Sequence, residues 1–180
     1  MAQWLASANY RLAFPADCRA SEIVVFPATE YERRGMEDLR LVRFQDDDGS
    51  VRYYGTYTAF NGIRVHPMLL ETEDFTAFQV HTLSGRYARN KGLALFPRRI
   101  DGQYAMLGRH DGENLYLLRS GDLDVWTASQ RLLAPREEWE YVQVGNCGSP
   151  LETDAGWLVL THGVGPMRQY SIGAILLDRH

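Results

Sequence analysis

The 180-residue sequence contains only two cysteines, Cys18 and Cys147. That is too few for a disulfide scaffold, and they follow no metal-ligand spacing, so both read as reduced thiols. Long apolar runs are missing as well: no segment approaches the roughly 20 apolar residues of a membrane helix. The opening MAQWLASANYRLAF lacks a basic start and is broken by Gln3, Ser7 and Asn9, which is unlike a secretory leader. Nor is there a basic excess. Asp and Glu outnumber Lys and Arg 23 to 19, for a net charge of −4. Nucleic acid and anionic membranes are therefore not expected as partners, because both select for a basic face. The histidines at 66, 81, 110, 162 and 180 show no ligand spacing. The acidic QDDDGS lacks the further ligands of a calcium loop and reads as a hairpin turn. No metal is expected, and the setting is expected to be soluble and cytoplasmic.

The chain does have strand signals, and many of them. With 45% hydrophobic and 23% charged residues it suits one domain with a real core. EIVVF, LRLVRF, VRYYGTYTAF, FQVHTL, ALFPRR, YAMLGR, NLYLL, YVQVG, WLVLTHG and YSIGAILLD are short, β-branched or aromatic, and bounded by Gly, Pro, Asp or Asn. No long stretch carries a 3.6-residue apolar period; the one interruption expected is a helical turn around PREEWEY. Three stretches share a design: DDDGSVRYYGTYT, RIDGQYAMLGRHD and TDAGWLVLTHG. Their turn glycines, Gly49, Gly102 and Gly156, are 53 and 54 residues apart. A second echo links EDFTAF with GDLDVW. An all-β chain repeating near fifty residues predicts propeller blades. Three repeats make an arc, whereas a ring needs roughly four to eight blades. Residues 1–180 are accordingly read as a single partial β-propeller domain, incomplete at both ends. Its open edges leave pairing with a second copy available.

Each repeat sends polar groups to the end of its aromatic strand: Thr56 and Tyr57, then Arg109, then His162. The stretch GMEDLRLVRF adds two acids, Glu37 and Asp38, at the mouth of an apolar strand, where carboxylates are poor strand formers and lose hydration. Strand alternation predicts that Arg40 shares the face of Asp38. GNCGSP is glycine-rich but lacks the Lys-Ser/Thr ending of a nucleotide phosphate loop. It reads as a tight turn with Cys147 packed rather than reactive.

The ordered segments EDLR, YTAFNG, NKGLALFPRRIDGQYAML, GSPLETDAGWLVLTHGV and IGAILLD, within residues 22–178, resemble glycoside hydrolase family 130. The resemblance implies a five-bladed propeller acting on β-mannosides, most often as an inverting phosphorylase. It implies Asp38 as the acid, acting through a sugar hydroxyl, and Arg40 as a residue that orients the carboxylate or holds sugar oxygens. Glu37 is expected to be a turn acid. Asn90, Lys91, Arg109, His162 and Tyr170 would form the phosphate pocket, with inorganic phosphate as co-substrate and no other cofactor. Phosphate is already an anionic nucleophile and needs placement and charge compensation, whereas water needs a second carboxylate as base. One position departs from the pattern: Gln143 stands where phosphorylases carry a lysine, and Arg168 is the candidate to replace that charge. An inverting hydrolase and a non-catalytic sugar-binding domain are the competing expectations.

Overall fold

A computed structural model describes residues 8–179. The expectations placed on residues 1–7 and on His180 lie outside it. Thirteen strands form three antiparallel sheets. In the first, β1 (Tyr10–Ala13), β5 (Ala77–Thr82), β4 (Val65–Thr72), β3 (Val51–Phe60) and β2 (Gly35–Gln45) lie side by side in that order. The second runs β6 (Ala94–Leu95), β7 (Tyr104–Gly108), β8 (Leu115–Ser120), β9 (Ala128–Leu133). In the third, β12 (Gly156–Val164) is flanked on one side by β10 (Gln143–Asn146) and β11 (Leu151–Thr153), and on the other by β13 (Tyr170–Leu177).

The repeat read from the sequence is the blade. Gly49, Gly102 and Gly156 precede or open β3, β7 and β12, one in each sheet, at φ of 85°, 73° and 139°. Only glycine adopts these values without strain. The echo of EDFTAF and GDLDVW is also structural, since these are the turns β4–β5 and β8–β9 of successive blades. In the first, Asp74 Oδ1 accepts from the Thr76 and Ala77 N–H groups. In the second, Asp122 Oδ1 accepts from Asp124 N–H, and the Trp126 indole, wholly buried, donates to Leu123 O at 2.8 Å.

The sheets pack face to face, so strands between two blades bury both faces and read as near-continuous apolar runs. Phe44, Tyr54, Leu69, Leu95, Met106, Leu118 and Trp126 fill the space between the first two blades. Phe96, Leu107, Leu115, Val144, Trp157 and Val159 fill the next. A third cluster, built on Tyr57, Met68, Phe78 and Val80, covers the far face of the first blade and draws in Tyr10, Phe14, Ile23 and Tyr31. Adjacent arginines tie the central blade to both neighbours. Arg98 makes a two-bond contact with Glu152 (2.7 and 3.1 Å) and lies over Trp157, while Arg99 Nε meets Asp46 at 2.6 Å with its guanidinium over Tyr104.

Several expectations need correction. EIVVF is not a strand. Residues 23–28 run as irregular chain, and the edge of β5 is already taken by β1. β1, β4, β9 and β11 carry only weak strand signals in sequence; in β4, Pro67 masks the strand. It is tolerated because pairing with β5 starts only at Met68, while the Pro67 carbonyl still accepts from Leu83 N–H at 3.1 Å.

A second repeat spans two blades. Pro27–Glu32 (PATEYE) and Pro135–Glu140 (PREEWE) begin 108 residues apart, two blade periods. In each, the final glutamate is buried and its Oε2 accepts the backbone N–H groups three and four residues earlier. The helical turn expected at PREEWEY is the short 3₁₀ turn Glu138–Glu140 of this motif.

Candidate active site

The acid pair sits at a defect in the first blade. β2 and β3 pair in register from Gly35 to Glu37 and again from Arg40 to Gln45, so Asp38 and Leu39 together face Tyr57. Asp38 is left-handed, with φ of 58°. Aspartate tolerates that region better than most residues, and a bulge of this kind re-aims a side chain. Simple alternation across Asp38–Arg40 is therefore broken by the extra residue. Asp38 lines a small pocket with Thr56, Thr58, Pro67, Asn90, Gly92 and Leu93.

Arg40 remains beside it. Its Nη1 donates to Asn146 O at 2.7 Å and more weakly to Gly92 O at 3.4 Å, joining the first blade to the second and third. Burial lowers the Arg40 pKa and the Asp38 charge opposes that shift; a guanidinium stays charged regardless. The expectation that Arg40 holds sugar is thus modified: one of its nitrogens is committed to backbone carbonyls.

Opposite, three elements converge. Arg109 follows β7, Gln143 opens β10 and His162 lies on β12, paired across from Gly145. The partners on each side orient the Gln143 amide: its oxygen accepts from Arg109 Nη1 at 2.6 Å and its nitrogen donates to Gly112 O at 3.2 Å. A Cβ on Gly145 would lie 2.9 Å from His162 Cε1 and 3.2 Å from Arg109 Nη1, so both side chains cross where only glycine leaves room. Tyr170 stacks on His162, centroids 5.9 Å apart. Burial lowers the His162 pKa, and Arg109 and Arg40 lower it further, leaving a neutral imidazole at pH 7. Burial also lowers Arg109, against the charges of Tyr170, Asp111 and Asp38. The charge of Asp38 acts on all three, as the leading charge beside Arg40 and as a minor one for Arg109 and His162.

The other expected residues are placed differently. Lys91, the single lysine of the sequence, puts its ammonium on the Glu37 carboxylate, so Glu37 is a strand residue with a partner rather than a turn acid. Asn90, also left-handed, lines the Asp38 pocket, and its Oδ1 accepts from Lys91 N–H at 2.9 Å. Arg168 sits exposed in the Pro166–Arg168 turn at φ of 57°, with no hydrogen bond or ion pair among the described residues. Thr56 and Tyr57 line the Asp38 pocket, but their hydroxyls are engaged elsewhere. The Thr56 hydroxyl donates to Leu93 O, and the buried Tyr57 phenol donates to Glu32 at 2.5 Å. Cys147 is exposed rather than packed, its Sγ 3.9 Å from His162 Nδ1.

A family profile described as beta-1,4-mannooligosaccharide phosphorylase matches residues 17–180. The chain belongs to glycoside hydrolase family 130. It is 34% identical over 164 residues to a 1,2-beta-oligomannan phosphorylase of Thermoanaerobacter sp. (strain X514), a match covering 89% of this chain and 53% of that protein. It is 31% identical over 166 residues to a beta-1,2-mannobiose phosphorylase of Listeria innocua, covering 86% and 43%. A solved beta-1,2-mannobiose phosphorylase from Listeria innocua, in complex with beta-1,2-mannobiose, superposes with a TM-score of 0.69 at 29% identity, over 84% of this chain and 43% of that one. A structure titled as a putative glycosidase from Bacteroides thetaiotaomicron shares the fold at a TM-score of 0.69 and 20% identity, over 93% and 54%. The chain therefore spans about half the length of the family 130 relatives it matches.

Proposed function

We propose that the chain carries the acid and the anion-binding side of a site that cleaves β-mannosides by inverting phosphorolysis. A phosphate oxygen attacks the anomeric carbon as the bond to the glycosidic oxygen breaks, and that oxygen takes up a proton that originates on Asp38. The products are mannose 1-phosphate of inverted configuration and the free leaving sugar. Arg109 supplies the fixed charge facing phosphate, neutral His162 a hydrogen bond, and Tyr170 a phenol against the imidazole. Inorganic phosphate is the only co-substrate in this reading.

One observation carries the proposal: Arg109 and His162 cross over Gly145, within electrostatic reach of an acid held in a backbone bulge. Arg109 Nε, buried with no acceptor among the described residues, fits a cation built for an anion. Family membership and the phosphorylase names of the relatives agree with it.

Gln143 favours a second reading. A neutral amide on Arg109 holds phosphate less firmly than an ammonium would, which suits water as nucleophile. The test is mannose release from β-mannobioses with and without phosphate, following the anomer formed. A requirement for phosphate with α-mannose 1-phosphate as product supports phosphorolysis. Equal rates without phosphate, yielding free mannose, would overturn it in favour of hydrolysis.

A further inference from the structure

The pocket that holds Asp38 shares two walls, Pro67 and Asn90, with a larger cleft of about 640 Å³. Ile63, Arg64 and His66 line it from the first blade, and Arg89 lines it from the segment entering the second. Its charge is of one sign, because no Asp or Glu takes part in the lining. Arg64 and Arg89 are exposed and form no ion pair among the described residues. In a chain of net charge −4, two unpaired arginines at one opening are a local inversion of sign. Their fields are felt nearby. Burial and Arg64 together keep His66 neutral, so the imidazole offers hydrogen bonding without charge. Ile63, 80% exposed at the rim, gives an apolar strip on which the face of a sugar ring can rest.

The cleft meets the Asp38 pocket at Pro67 and Asn90, and none of Arg109, His162 and Tyr170 lines it. We infer that this cleft receives the leaving sugar and selects one bearing an anionic group, a carboxylate or a phosphate ester. The inference rests on the reading of Asp38 as the acid of a sugar-cleaving site. A guanidinium pairs with either anion through parallel N–H bonds, and a neutral sugar leaves both arginines without a charged partner.

The test compares three disaccharides on the 180-residue chain: β-mannosyl-glucose, β-mannosyl-glucuronic acid and β-mannosyl-glucose 6-phosphate. Binding is measured at low and high salt, and cleavage is followed in parallel. At low salt either acidic compound binds roughly three- to tenfold tighter than the neutral one, as expected for exposed charge pairs. That ratio falls toward one at high salt and in the Arg64→Gln/Arg89→Gln double variant. The tighter of the two acidic compounds identifies the anion. Equal binding of all three, a ratio unchanged in the double variant, or no binding of any overturns the assignment.

Asp38→Asn separates this inference from the reaction it rests on. Cleavage that needs Asp38 but is indifferent to the anion removes the cleft and keeps the chemistry. A salt-sensitive preference for the acidic compounds, with no cleavage that depends on Asp38, does the reverse.

Discussion

Arg40 and Asn146 are 106 residues apart in sequence, yet Arg40 Nη1 lies 2.7 Å from the Asn146 carbonyl oxygen. The same nitrogen reaches Gly92 O, so one guanidinium ties β2, β10 and the segment leading into β6 together around the bulge that carries Asp38. Replacing Arg40 with Gln leaves buried carbonyls short of a charged donor. The expected cost is about 1.5–3 kcal/mol, the range for a hydrogen bond to a charged group. Arg40→Lys should recover part of it, since a single nitrogen makes both contacts and an ammonium keeps a charged, multiple donor. Urea unfolding of the three proteins checks this; a loss below about 0.5 kcal/mol would count against the staple.

In the proposed site, Gln143 and Gly145 border the anion side. Gln143→Lys sets an ammonium where the amide meets Arg109, which costs stability through like charge but adds a cation for phosphate. The phosphate KM should fall about tenfold, while the unfolding free energy drops by about 1 kcal/mol. Gly145→Ala acts the other way. Its Cβ would press on His162 and Arg109, so phosphate dependence should weaken while the fold persists. Phosphate titration of turnover, with thermal unfolding alongside, separates the two effects.

His81 gives a pH signature away from the site. It stands between Asp124, 3.7 Å away in the β8–β9 turn, and Glu71, 3.4 Å away on β4, which links the first two blades. Asp124 and then Glu71 raise its pKa to about 9. The folded value lies above the unfolded one near 6.5, so the contribution is complete below about pH 6.5 and disappears as pH rises through 9. Neither contact is an aligned hydrogen bond and Asp124 is half-exposed, so the effect is about 1–2 kcal/mol. Unfolding free energies at pH 6 and pH 9.5 should differ by that amount more in the wild type than in His81→Gln. An identical pH profile in the variant would refute the coupling.

Glu32 is the most enclosed acid of the first blade. Its Oε1 accepts from the Tyr10 and Tyr57 hydroxyls (2.8 and 2.5 Å), and its Oε2 accepts from Ala28 N–H, Thr29 N–H and the Thr29 hydroxyl. Glu32→Gln turns an amide NH₂ toward donors and should cost about 2–4 kcal/mol, within the range for breaking a satisfied buried charge. Chemical denaturation is the measurement. Glu32→Gln at wild-type stability would show that these bonds carry little net energy.

Local chemistry was enough to read the blade from the sequence. Turn glycines at a 53- to 54-residue period, β-branched and aromatic strands and acidic turns are short-range signals, and each lies where its own neighbours dictate. The same reading singled out Arg109 and His162 as candidates from their position in the repeat, and Asp38 from the family resemblance, both properties of the chain alone. The assembled site depended on contacts between blades. The bulge at Asp38 depends on how β2 meets β3, and the partners of Arg40, Lys91 and Gln143 come from strands 52 to 106 residues away or from loops of another blade. Burial of Glu32 and Glu140 was also hidden, although the PATEYE/PREEWE repeat marked it. In sequence a carboxylate looks solvated, and only packing supplies the donors that let it leave water. Sequence therefore determined which residues recur, and tertiary structure decided which of them meet, because charge pairing acts through space while propensity acts along the chain.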